Sequence, residues 1–60
     1  MNETQCLVDE VRQVLDYLQQ ADATGDHENG IAAAQQLQEL GSQLAFVQSR
    51  RAALLEAYCG

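Results

Sequence analysis

Sixty residues carrying nine carboxylates against three arginines and no lysine, for a formal net charge of -6, offer no basic surface to displace counterions from a phosphate backbone. Nucleic acid and anionic membrane surfaces are therefore not expected partners, whereas a basic protein surface is admitted. A chain this short buries only about 60% of the surface its unfolded form exposes, so an enclosed small-molecule pocket of roughly several hundred Å3 is not expected either.

The first element begins at Asn2. Its side-chain oxygen is placed to accept from the amide of Gln5, and Gln5 to reach back and complete a capping box. Glu3 falls in the first turn, where the helix dipole favours a negative charge. Leu7, Val8, Val11, Val14, Leu15, Leu18 and Ala21 then recur on one helical face. Within that stripe Leu7, Val11, Val14, Leu18 and Ala21 alternate steps of four and three. The spacing predicts helix 1 over about residues 3–24.

Gly25 is suited to end this helix as a left-handed residue. Either Asp26 or Asn29 caps the next one, with Glu28 near its positive end. Helix 2 is predicted over about residues 28–58, with its own ladder of Ala33, Leu37, Leu40, Leu44, Val47, Arg51, Leu54 and Tyr58. Gly41-Ser42 is its weak point, because a glycine inside a helix costs about 1 kcal/mol relative to alanine and can mark a kink. The heptad phase runs through Gly41 without a slip. A continuous helix that packs closely at Gly41 is therefore expected.

A loop of a few residues makes the two helices antiparallel neighbours. The expected fold is all-α: one helical-hairpin domain over residues 1–60, dimerising into a four-helix bundle. With the turn centred near Asp26, Leu18 is level with Ala34, Val14 with Gln38, Val11 with Gly41 and Leu7 with Ala45. Helix 1 then runs out near Glu3, level with Arg50 and Arg51. Arg51 interrupts an otherwise apolar ladder, and its charge is expected beside Glu3. Beyond it Leu54, Leu55 and Tyr58 have no helix 1 to cover them. An overhang of nine residues at 1.5 Å each projects roughly 13 Å, and an uncovered apolar stripe reads as an interaction surface.

The acidic charge is concentrated in one half. Met1 to Gly30 holds Glu3, Asp9, Glu10, Asp16, Asp22, Asp26 and Glu28 against Arg12, while Ile31 to Gly60 balances Glu39 and Glu56 with Arg50 and Arg51. Cys6 and Cys59 lie near opposite ends and form no CxxC. Cys6 is expected on the outer face, level with Phe46 and roughly 20 Å along the axis from Cys59, beyond disulfide reach. The N-terminal residues Met1 to Thr4 show no basic-then-apolar signal pattern, and no stretch approaches the roughly 20 apolar residues of a membrane span. The expected compartment is the cytoplasm.

Asp26, His27 and Glu28 form the one acid-histidine cluster. It lacks a neighbouring nucleophile or further metal ligands, and it reads as a solvated turn. No catalytic, cofactor-binding or metal-ligating residues are expected, and no cofactor, small-molecule substrate or enzymatic activity. The candidate interface residues are Tyr17, Phe46, Arg50, Arg51, Leu54, Leu55 and Tyr58. The three aromatics are included because aromatics anchor interfaces. The expected function is a small acidic adaptor or inhibitor that binds another protein, or a second copy of itself, by helix–helix docking. A secretion or export co-chaperone and a purely structural dimerisation module are the alternatives.

In length and layout such a hairpin is similar to small dimeric RNA-binding hairpins that regulate plasmid copy number. It is also similar to the helical-hairpin co-chaperones of type III secretion needles and to small phage-encoded inhibitor proteins. The resemblance is one of architecture. The basic stripe of the first class is missing, and no residue signature assigns the chain to any of the three.

Overall fold

A computed structural model describes residues 2–59, with the side chains of Tyr58 and Cys59 outside that description. Helix α1 spans Glu3–Thr24 and helix α2 spans His27–Cys59, within a residue of the predicted bounds. Among the described residues there is no strand.

Each boundary has a local cause. Asn2, in extended backbone, accepts from the Gln5 amide at 2.8 Å and opens α1. The reciprocal half of the predicted capping box does not form. Gln5 instead donates through Nε2 to Asp9 Oδ1 at 3.2 Å, one turn along, where the acceptor is a charged carboxylate. At the other end Gly25 is left-handed, with φ 75° and ψ 17°. Its amide donates to the Asp22 carbonyl at 3.1 Å and that of Asp26 to the Ala21 carbonyl at 2.8 Å. These two bonds are the Schellman closure that satisfies carbonyls left over at a helix end. Thr24 adds a bond from its hydroxyl to the Gln20 carbonyl at 3.0 Å.

The choice between two caps for α2 resolves to Asp26. Its Oδ1 accepts from the Asn29 amide at 3.3 Å, and its other oxygen accepts from the Asn29 side chain. Only Gly25 and Asp26 separate the helices, so the chain reverses at once and α2 returns along α1.

The interface between the helices is the pair of ladders. Leu7, Val11, Val14 and Leu18 are half-buried, as are Leu37 and Leu44 opposite them, and Ala21, Ala33, Leu40 and Val47 are buried. Gly30 joins this seam one turn before Ala33, where an added Cβ would lie 3.8 Å from Leu18 Cδ1. Helix α2 continues unbroken through Gly41, as predicted, but the predicted close packing there is absent. Gly41 is exposed, and an added Cβ would meet nothing within 4 Å. The reason is its phase. It follows Leu40 by one residue, about 100° around the helix, which carries it off the seam.

The resulting shape is long and thin, with extents of 52 × 19 × 10 Å. Its radius of gyration is 15.3 Å, against about 10 Å for a compact chain of this length. The chain exposes 4701 Å2, against about 3,900 Å2 for a folded monomer of 6.6 kDa. The core is correspondingly small: of the four buried residues among those described, two are alanines.

Candidate functional site

The end of the shared seam is marked by one ion pair. Arg50 Nη2 donates to Glu3 Oε1 at 2.7 Å, with both side chains about half exposed. A neighbouring bond from Gln48 Nε2 to Thr4 Oγ1 at 3.0 Å confirms the register. The heptad ladder predicts the charge of Arg51 here. Arg50 takes that place because it lies 100° from Arg51, on the edge that faces Glu3. Arg51 stays exposed on the seam phase. A pair this open contributes at most about 1 kcal/mol.

Past Arg50 the described side chains of α2 are all exposed. Leu54 is 53% and Leu55 64% exposed, so the predicted overhang is present. Tyr58 belongs to the same stretch, but its side chain is outside the described residues. Tyr17 and Phe46 are 50% and 66% exposed, and the structure does not bring them together. Phe46 sits level with Cys6, and Tyr17 lies eleven residues further along α1, about 16 Å away.

Phe46 has a different neighbour. The Arg50 guanidinium lies over its ring, 5.8 Å from the centroid, within the range of a cation–π contact. Arg50 therefore bridges Phe46 and Glu3. Beside this bridge runs an open groove of about 730 Å3, floored by Leu7, Val47 and Phe46 and rimmed by Glu3 and Glu39. Cys6, an exposed free thiol, also lines it. The signal for this groove in the sequence was the common level of Cys6 and Phe46. What it lacked was the edge on which both fall.

The Asp26 carboxylate is engaged by Asn29 in capping, and the His27 amide donates to the Gly25 carbonyl at 3.1 Å. No group of three or more metal-ligating side chains is present among the described residues. Within the same residues no helix is long and apolar enough to cross a membrane. No family model, no curated protein and no solved structure matches the chain.

Proposed function

We propose that the chain is a small, acidic, non-enzymatic protein-binding module that works by helix–helix docking. The observation that carries this reading is the mismatch in helix length. Helix α2 runs nine residues past the Glu3–Arg50 pair, and Leu54 and Leu55 stand open on it. A partner helix laid along this segment would continue the seam that α1 leaves unfinished, with Arg51 at its entrance. The seven carboxylates of the N-terminal half would steer a basic partner toward it. In the same reading two hairpins associate into a four-helix assembly.

The small core favours a particular form of this reading. A hairpin with four buried residues among those described is marginal alone and gains stability from whatever it binds. That is the behaviour of a co-chaperone or inhibitor that exists as a stoichiometric complex. The proposed setting is the cytoplasm, where an exposed thiol such as that of Cys6 stays reduced.

Affinity capture from the native host, comparing the natural chain with Leu54→Asp, tests the docking segment. The natural chain is expected to retain a stoichiometric protein that the variant loses. Equal retention by both would refute a role for the overhang.

A further inference from the structure

The groove beside Phe46 has one chemistry on its floor and another at its ends. Leu7, Val47 and Phe46 make the floor, and Phe46 is 66% exposed. Of the residues that line the groove only Glu3 and Glu39 are charged, and both are carboxylates. Arg50 closes one end, where its guanidinium reaches Glu3 at 2.7 Å and lies 5.8 Å from the centre of the Phe46 ring. At the other end Glu39 is exposed, and among the described residues it has no ion pair. Glu39 and Phe46 are two turns apart on α2, so they share a face at a separation of about 10 Å.

We infer that this groove takes a basic amphipathic helix of a partner protein. An apolar side chain of that helix covers Leu7, Val47 and Phe46, and an arginine or lysine two turns away meets Glu39. The inference rests on the protein-binding reading and adds to the overhang a second surface with a stated ligand chemistry.

Charge complementarity selects the occupant. A ligand that covers the floor also takes Glu39 out of water, and a charge buried without a partner is costly. The ligand must therefore supply a cation. Arg50 shows the fit within the molecule, because one guanidinium there already satisfies both the Phe46 ring and a carboxylate. A second copy matches poorly, since it would bring nine carboxylates and only three arginines to an acidic groove. The walls select a helix. They belong to α1 and α2, whose backbone groups are already bonded within each helix. An extended peptide would bury its own backbone groups unpaired against them, whereas a helix arrives with those groups paired.

Two synthetic peptides of about 15 residues, long enough to form a helix when bound, are the probes. Each carries a pair of leucines one turn apart on an alanine and glutamine background. One has an arginine two turns after the pair and the other two turns before it, so that both directions of the helix are tried. Fluorescence polarisation of the labelled peptides with the full chain is expected to show saturable binding of at least one, with a dissociation constant below about 100 µM. Glutamate in place of its arginine is expected to weaken binding at least about tenfold. Glu39→Arg is expected to raise the dissociation constant at least about fivefold, and Phe46→Ala at least about tenfold, while far-ultraviolet circular dichroism keeps its helical signal. Glu56→Arg makes the same change of charge about 13 Å beyond Val47, outside a Debye length, and is expected to change binding by less than about twofold. Bound peptide is also expected to slow alkylation of Cys6 by iodoacetamide at least about threefold, because the thiol must be reached to react. Mass spectrometry of the tryptic fragment ending at Arg12 reads that rate.

Failure of both peptides to bind would overturn the inference. So would equal binding of the glutamate peptide, equal losses from Glu39→Arg and Glu56→Arg, or unchanged alkylation of Cys6. A two-chain mass in sedimentation equilibrium that Phe46→Ala returns to one chain would assign the groove to a second copy and overturn it as well. Peptides that fail on a chain whose capture still depends on Leu54 would overturn the groove alone. Peptides that bind as expected, with capture indifferent to Leu54→Asp, would support the groove and overturn the overhang alone.

Discussion

Up to Arg50, α2 has α1 beside it, and from Arg51 onward it has nothing. The same ladder of apolar residues runs through both stretches, yet Leu40 and Val47 are 3% and 4% exposed while Leu54 is 53% exposed. Identical periodicity therefore has two meanings in one helix. In the first stretch it is a core, and in the second it is an unfilled site. What separates them is the position of the N-terminus of α1, set by the Asn2 cap and marked by the Glu3–Arg50 pair.

The comparison can be broken most forcefully with one truncation made twice. Leu40→Ala removes a buried side chain, and such changes cost about 2–5 kcal/mol. For a hairpin with so small a core, urea or thermal unfolding followed by circular dichroism should show most of the folded population lost. Leu54→Ala in the chain alone should shift the same transition by less than about 0.5 kcal/mol. Equal losses would mean that Leu54 is already covered.

Gly25→Ala acts on the turn that makes the comparison possible. Alanine at positive φ is strained by about 1–2 kcal/mol, and the thermal midpoint should fall accordingly, with helix content preserved below it. The smallest effect is expected from Glu3→Gln. It removes an exposed ion pair worth at most about 1 kcal/mol, and that difference should shrink further as salt screens the pair. A loss from Glu3→Gln as large as that from Leu40→Ala would show that the pair does more than mark the register.

The helices were legible because their ends are chemical. Asn2, Gly25 and Asp26 each satisfy backbone groups with their own side chain or conformation, and the four–three spacing needs no tertiary knowledge. Three details were not legible, two of them because they depend on angle around a helix rather than on position along it. Gly41 borders Leu40 in the sequence, yet one residue is 100° and carries it off the seam. Arg51 shares the level of Glu3, but Arg50 shares both level and edge. Gln5 was expected to reach back to Asn2, but Asp9 offers a charged acceptor one turn ahead. The candidate contact residues divide by their position along the helices: Leu54 and Leu55 share the overhang, Phe46 joins Arg50, and Tyr17 stands apart.

Amide hydrogen exchange along α2 of the chain alone tests the central division most directly. Amides between Leu40 and Val47 should be protected at least about tenfold more than those between Ala53 and Glu56, because only the former open with the hairpin as a whole. Protection continuing undiminished through Glu56 would contradict the account, since it would require a cover that α1 cannot reach.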